Sequence, residues 1–222
     1  MMDWQAIFTA LPSLGEGMAV TLQLCAVAAL CSLLWGSLMA IGLMRAPLFW
    51  RRLLRLYSVL TLALPLLVVI YLLYFVLPEY EITFSSPQVG VLALTLYYAP
   101  YIAQVICSAI GALPRGQWEA CRVLGLSRME QLRDVALPQT LPQMLSPLVG
   151  LLIGLIKDSA LLSIVSVQEF MYAAKQAISA TYAPLEIYLT VAICYWALNS
   201  LLDWLTRHIE FRMTRYRRTL PH

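Results

Sequence analysis

The chain has 222 residues, of which 61% are hydrophobic and 12% are charged, and its mean hydropathy is +0.75. A soluble domain usually carries about a quarter charged residues, so this composition predicts a membrane protein and leaves no room for a separate soluble domain. The formal charge of +3 is small, and the basic residues are spread over short loops and segment ends. This spread argues against a nucleic-acid partner, which requires one solvated basic patch.

Five apolar stretches are long enough to cross a membrane as helices, which takes about 20 residues for a ~30 Å hydrocarbon core. They cover residues 18–44, 56–77, 89–110, 144–167 and 184–205. No internal repeat and no low-complexity linker divides the chain. The sequence therefore predicts an all-α, polytopic membrane protein with five transmembrane helices, forming a single domain over residues 1–222.

The arginines indicate how the chain crosses the membrane. All thirteen lie between the first and second spans, between the third and fourth, or after the fifth, and five spans put these regions on one side. The opposite loops contain no arginine and carry Glu79, Glu81, Glu169 and Lys175. The positive-inside rule then predicts a multi-pass protein of the bacterial inner membrane, with its N-terminus outside and its C-terminus in the cytoplasm.

No pattern in the sequence indicates catalysis or metal binding. The five cysteines show no CxxC or Cys/His ligand spacing, so neither a disulfide framework nor a metal site is expected. The four cysteines in apolar runs are predicted to be small buried side chains: Cys25, Cys31, Cys107 and Cys194. A phosphate-binding Gly-x-x-x-x-Gly-Lys-Ser/Thr loop is missing. We therefore expect no enzyme activity and no cofactor in this chain.

A charged loop at residues 111–143 separates the third and fourth spans. Its pattern predicts two short helices with a bend between them. The first centres on Glu119, and Gly125 after it permits the left-handed backbone of a tight turn. Ser127 can cap the second helix, with a glutamate three residues on, and we expect that helix to end before Pro138. Such a hairpin suits docking to a partner at the cytoplasmic surface; an ordinary amphipathic surface hairpin is the alternative.

The same loop resembles a motif of binding-protein-dependent ABC importer permeases: Glu-Ala-Ala, three residues, Gly, nine residues, Ile-x-Leu-Pro. The matching residues are Glu119, Ala120, Cys121, Gly125, Val135, Leu137 and Pro138. Cysteine for the second alanine and valine for isoleucine are mild changes. Further matches at 65–68, 99–103, 157–159 and 184–188 resemble the polar amino-acid branch of this family, of the histidine, arginine or glutamine type.

The resemblance implies a permease subunit that forms part of the translocation path for a polar amino acid, basic ones included. It implies a five-helix core in the lipid membrane, a second permease, two ATP-binding-cassette ATPases that hydrolyse ATP, and an extracytoplasmic substrate-binding protein. Glu119, Ala120 and Gly125 would shape the coupling helix in the ATPase cleft. Which amino acid is carried stays open.

One stretch departs from the family pattern. Where members usually have Arg-Gly-Thr-Pro, this chain has the apolar sequence 62–65, Leu-Ala-Leu-Pro, and Val69 replaces a frequent glutamine. If that motif contributes to the path, the partner permease carries more of the recognition, which favours a heterodimer. Pro65 and Pro100 are also predicted to kink the second and third spans. They either shape the helices or mark irregular backbone along a path.

Charged residues inside the fourth span require a reason, because each costs about 2.5–3.5 kcal/mol at a helix centre. Either they lock neighbouring helices together, or this segment already lies near the outer rim of the membrane, or they face the substrate. Neighbouring helical residues point about 100° apart, so each is expected to have a different partner. The candidates for the substrate path are Lys157, Asp158 and Ser159, with Gln104 and Tyr101 on the third span.

Two other functional classes stay open on the sequence alone. A secondary transporter or channel could use Lys157 and Asp158 for ion coupling, although five spans without a repeat argue against it. A membrane scaffold without transport activity would explain the missing Arg-Gly-Thr feature, but not the intact docking motif. ATP dependence separates the importer from the secondary transporter, and substrate flux separates it from the scaffold.

Overall fold

A computed structural model describes residues 4–214, and over this part of the chain it contains helices and no strand. The all-α prediction is confirmed. The helices, in chain order, are α1 (Trp4–Arg45), α2 (Leu48–Ala63), α3 (Leu66–Tyr80), α4 (Ser86–Gly111), α5 (Arg115–Val123), α6 (Arg128–Val165), α7 (Phe170–Thr181) and α8 (Pro184–Thr214). α3 includes a π-helical turn at 72–76 and a 3₁₀ turn at 77–80, and α6 is π-helical at 131–136 and 3₁₀ at 159–165.

Four of these helices, α1, α4, α6 and α8, are long and apolar enough to cross a membrane. The predicted second span is not one kinked helix. α2 and α3 meet at an angle of 108°, with Leu64 and Pro65 in extended conformation between them. Proline has no N–H and disfavours helical backbone at the residue before it, so the chain leaves the helix here. The pair forms either a broken fifth span or a re-entrant segment.

Pro100, by contrast, does not interrupt α4, which is helical from Ser86 to Gly111. A proline within a helix leaves the carbonyl four residues earlier without its partner, and here that carbonyl belongs to Leu96. The hydroxyl of Tyr57 on α2 donates a hydrogen bond to it. A neighbouring helix thus supplies the missing donor at this break in the backbone ladder.

α1 and α4 form the centre of the bundle and approach closely at Gly36. A Cβ on this glycine would lie 2.7 Å from the carbonyl oxygen of Ala99 and 2.8 Å from Cβ of Ile102. α3 and α6 pack around this pair. The resulting core contains Leu24, Leu66, Ile70, Ala93, Leu94, Tyr98, Leu155 and Leu162.

The first helix begins at Trp4, well before the predicted residue 18. Its early turns are buried by α7 and α8 rather than by lipid alone: Ala10 and Leu14 pack against Phe170, Ala174 and Ile187 in a second core. This packing explains why a stretch with too few apolar residues to read as a span is still helical.

Candidate functional site

The surface hairpin (residues 115–130) consists of α5, a turn and the start of α6. α5 ends in a Schellman motif: the N–H of Leu126 donates to the carbonyl of Cys121 at 3.0 Å, and the N–H of Gly125 to that of Arg122 at 3.1 Å. Gly125 has φ +69°, the left-handed conformation expected from the sequence. A fixed turn therefore holds α5 against the beginning of α6.

The start of α6 is capped as predicted. The backbone N–H of Ser127 donates to the Glu130 carboxylate at 2.7 Å, and the N–H of Glu130 donates to Oγ of Ser127 at 3.3 Å. The predicted end of this helix before Leu137 and Pro138 is wrong, since α6 runs on to Val165. The π-helical turn at 131–136 directly precedes Pro138; its wider backbone relieves the clash between a proline ring and the preceding turn.

The outward face of the hairpin carries Glu119 and Ala120 together with an apolar edge. Val123 is 87% exposed and Leu124 74% exposed, so the end of α5 presents two adjacent apolar side chains. Cys121 points inward and is buried, although the sequence predicts burial only for the other four cysteines. Of those four, Cys25 is buried and Cys31, Cys107 and Cys194 are half-buried.

Side-chain amides fasten the hairpin to α6. Nε2 of Gln131 donates to the carbonyl of Leu126 at 2.7 Å, and Nε2 of Gln139 to Oε1 of Gln117 at 3.3 Å. Leu137 is half-buried beneath the hairpin and Pro138 is exposed. The hairpin and the first turns of α6 are therefore joined by side-chain hydrogen bonds as well as by the chain itself.

Asp158 lies in the interior half of the bundle and bonds to α4. Oη of Tyr98 donates to Oδ2 of Asp158 at 2.8 Å. Tyr98 is buried in the middle of α4, with the rings of Tyr97 and Tyr101 5.6 and 6.1 Å away. Asp158 thus has a partner on another helix, as the inter-helix lock interpretation requires, while staying half-exposed.

Lys157 points the other way, into a groove of about 610 Å³ between α6 and α8. Asn199 and Asp203 line the same groove. Oδ1 of Asn199 is buried without a hydrogen-bond partner among the described residues, and Asp203 accepts a 2.7 Å ion pair from Arg207 one turn further along α8. This groove (the α6–α8 groove) brings both signs of charge to one surface, with an unpaired amide oxygen buried in its wall.

Tyr101 and Gln104 line a different groove, of about 460 Å³, between α4 and α6. Ser108 and Gln143 supply its other polar groups. Ser159 reaches neither groove: it is fully buried, and its hydroxyl donates to the carbonyl of Ile156 at 2.8 Å. The predicted path residues are therefore divided between two grooves that flank α6 and a buried position between them.

Asn199 and Asp203 are not among the site residues predicted from the sequence. The available signal was their spacing, because two polar residues four positions apart on an apolar span share one helix face.

The sequence predicts that Glu169 lies in a loop outside the membrane spans, whereas its side chain is fully buried at the start of α7. Its carboxylate accepts hydrogen bonds from the N–H groups of Met171 at 2.9 Å and Tyr172 at 2.8 Å. Burial raises the pKa of Glu169 to about 7, although these bonds and Lys175 lower it. Beside it, Oγ1 of Thr21 accepts from the N–H of Phe170 at 2.9 Å and ties α1 to α7.

Known relatives match almost the whole chain. A probable amino-acid ABC transporter permease protein of Bacillus subtilis, YckA, is 29% identical over 220 residues, covering 96% of this chain and 97% of the relative. The arginine ABC transporter permease protein ArtQ of Haemophilus influenzae is 32% identical over 199 residues, covering 86% and 90%.

Solved structures share the arrangement of helices. One chain of a crystal structure of an amino acid ABC transporter with histidines superimposes with a TM-score of 0.90 at 27% identity, covering 96% of this chain and 99% of that one. A chain of the MetNI methionine ABC transporter, in an inward-facing conformation, superimposes with a TM-score of 0.79 at 20% identity and supports the fold alone. The model of the family described as binding-protein-dependent transport system inner membrane component matches residues 32–215, and the chain belongs to this family of integral membrane permeases.

Proposed function

We propose that this chain is the permease subunit of an ABC importer for a polar amino acid and couples the movement of its helices to ATPases in separate subunits. The observation that carries the proposal is the continuity of α6. This helix starts in the surface hairpin at Arg128 and reaches Lys157 and Asp158 between the two grooves. One rigid element thus connects a docking surface to the charged groups inside the membrane.

The substrate class is supported by relatives and by the α6–α8 groove. The relatives named above include an arginine permease and a transporter crystallised with histidines. An amino acid carries a carboxylate and an ammonium group, and the groove offers Lys157 for the first and Asp203 with the free amide oxygen of Asn199 for the second. The Asp158–Tyr98 bond then acts as the inter-helix lock beside the groove.

The partners follow from the same proposal. Val123 and Leu124 on the hairpin would enter the ATPase cleft, an extracytoplasmic binding protein would deliver substrate, and a second, different permease would close the grooves. The distribution of the arginines, Arg52 and Arg122 among them, supports a cytoplasmic position for the hairpin under the positive-inside rule. The N-terminus would then lie outside.

The proposal is tested with the chain co-expressed with its neighbouring genes and reconstituted in liposomes. We expect ATP-dependent uptake of an amino acid, with Lys157→Gln and Asp203→Asn each raising the KM for uptake and Gln176→Ala, on the exposed side of α7, leaving it unchanged. Gln104→Leu changes a residue that lines the groove between α4 and α6, and its effect on the KM for uptake is measured in the same assay. Uptake that is independent of ATP would instead indicate a secondary transporter, and a complex without flux a scaffold.

Docking is tested separately from transport. Glu119→Lys and Gly125→Pro in the hairpin should abolish recovery of the ATPase when the chain is purified through a tag in mild detergent, while the second permease is retained. An ATPase that still co-purifies with both variants would contradict the coupling role of the hairpin. The matched control is Gly116→Ala, at a position where an added Cβ meets no atom within 4 Å.

A further inference from the structure

The first turns of α2 carry an exposed aromatic and basic surface that the proposed transport function does not use. Phe49 and Trp50 are 65% and 59% exposed, and their rings pack edge to face with centroids 5.6 Å apart. Aromatic side chains at the end of a membrane helix favour the level of the lipid head groups. These two residues therefore mark the beginning of α2 as an interfacial position.

Arg52 and Arg55 follow one turn apart on the same face of α2, and both are exposed. Neither takes part in a salt bridge or side-chain hydrogen bond within residues 4–211. The sequence holds no acidic residue between Glu16 and Glu79, so no nearby carboxylate along the chain balances them. Arg51 differs, because its Nη2 donates to the carbonyl of Ala46 at 3.1 Å.

The backbone at this end of α2 adds to the positive potential. Pro47 is the N-cap residue and offers no side-chain acceptor to the free N–H groups of the first turn. Unpaired N–H groups and the helix dipole favour an anion near a helix N-terminus. Arg52 directly follows this first turn, so its charge adds to the positive potential there, and Arg55 lies one turn further along the helix.

The same face becomes apolar further along the helix. Leu56 and Val59 are exposed. At helical spacing they form one stripe along α2 together with Phe49, Arg52 and Arg55. From the N-terminus of α2 onward, the side chains of this stripe are first aromatic, then cationic and then aliphatic. This order matches the interface, the phosphate and the hydrocarbon of one lipid leaflet, whereas an acidic protein surface would complement the arginines without the aliphatic continuation.

We propose that this stripe on α2 binds an anionic phospholipid, with the phosphate between Arg52 and Arg55 and an acyl chain along Leu56 and Val59. Phosphate is the group that two neighbouring guanidinium groups recognise best, through charge-assisted hydrogen bonds. The bound lipid would be part of the transporter's annulus on the side of the membrane where α2 begins.

The test measures lipid binding to the full-length chain, purified with its associated subunits and stripped of lipid in detergent. Dioleoyl-phosphatidylglycerol or dioleoyl-phosphatidylcholine is added, and bound lipid is counted by native mass spectrometry. We expect tighter binding of phosphatidylglycerol. Arg52→Gln with Arg55→Gln should weaken that binding by about 30-fold, about fivefold for each arginine. The binding of phosphatidylcholine should weaken less, because its choline cation offsets the charge of the phosphate.

Two further variants separate this site from general charge effects. Arg115→Gln with Arg122→Gln removes the same charge from α5 and should keep phosphatidylglycerol bound, and Arg52→Lys with Arg55→Lys should retain most of the binding. If the double glutamine variant does not fold, each single variant should still show its fivefold loss. Equal affinity for both lipids, or an equal loss in the α5 variant, would overturn the proposal. Release of a co-purifying subunit by Arg52→Gln with Arg55→Gln, with lipid binding intact, would show that the stripe docks a protein.

Discussion

The hydroxyl of Tyr57 on α2 hydrogen-bonds to the carbonyl of Leu96 on α4, the carbonyl that Pro100 leaves without its helical donor. The bond holds the bent α2–α3 segment against the centre of the bundle and lets α4 keep a proline in its middle. Tyr57→Phe should therefore destabilise the protein by about 1–3 kcal/mol, since it leaves a carbonyl unsatisfied inside the bundle. The measurement is thermal unfolding in detergent.

A double-mutant cycle gives the control for this prediction. With Pro100→Ala, residue 100 regains an N–H that can bond to Leu96, so Tyr57→Phe should cost clearly less in that background. Equal costs in both backgrounds would mean that Tyr57 does not replace the donor missing at Pro100.

The stability of the α1–α7 junction should depend on pH through Glu169. Burial favours its protonated form, so the folded state binds a proton more tightly than the unfolded chain does. The stabilisation of the folded state by the protonated Glu169 is fully present below the ordinary pKa of 4.5, and it is lost as the pH rises through about 7. The groups around Glu169 are Thr21, Cys25, Lys175 and Tyr195. The midpoint of thermal unfolding should fall across this interval, and Glu169→Gln should flatten the dependence.

The exposed Glu79 provides the matched control. Glu79→Gln should keep the wild-type dependence on pH. The role of Glu169 would be contradicted if the unfolding midpoint of the wild-type protein rose between pH 4.5 and about 7. It would also be contradicted if Glu169→Gln showed the same dependence on pH as the wild type.

The turn of the hairpin should reject a side chain with a Cβ at Gly125. Its φ of +69° costs an ordinary L-residue about 1–2 kcal/mol, so Gly125→Ala should reduce recovery of the ATPase. Gly125→Asn should be milder, because asparagine tolerates this conformation. Gly116→Ala, in open space on α5, should leave recovery unchanged. Equal recovery with Gly125→Ala and Gly116→Ala would show that the turn is not strained.

The α1–α4 contact should be sensitive to an added methyl group. Gly36→Ala forces a Cβ to within 2.7 Å of the Ala99 carbonyl, and overpacking of this kind costs about 1–3 kcal/mol. Gly15→Ala is the control on the same helix, because nothing lies within 4 Å of its Cβ position. The measurement is the yield of monodisperse protein and its thermal midpoint; similar values for both variants would contradict the close approach.

Local signals in the sequence predicted much of this structure. Gly125 and Ser127 were recognised because a left-handed turn and a capping box depend on residues within a few positions. The start of α1 and the end of α6 could not be predicted in this way. The start of α1 depends on burial by α7, and the continuation of α6 depends on a π-helical turn before Pro138, and local helix propensity reports neither. Pro65 and Pro100 look alike in sequence, and only the tertiary donor Tyr57 distinguishes the intact helix from the broken one.

The candidate site likewise contains some features that local sequence predicts and others that depend on packing. Lys157 and Asp158 could be predicted because charges in an apolar span are conspicuous, and the different directions of their side chains follow from helical geometry. That Asp158 bonds to Tyr98, and that Lys157 shares a groove with Asn199 and Asp203, depends on how α4 and α8 pack against α6. A single sequence does not contain that arrangement.

The unbroken α6 acts as a mechanical arm. From Arg128 to Lys157 it spans about 44 Å at 1.5 Å per residue, so a tilt of about 5° imposed at the hairpin moves the Lys157 end by about 4 Å. Such a displacement exceeds the 2.8 Å length of the Tyr98–Asp158 hydrogen bond. In the proposed importer, a small rotation of the ATPase that holds the hairpin would therefore be enough to separate α6 from α4 at the centre of the bundle.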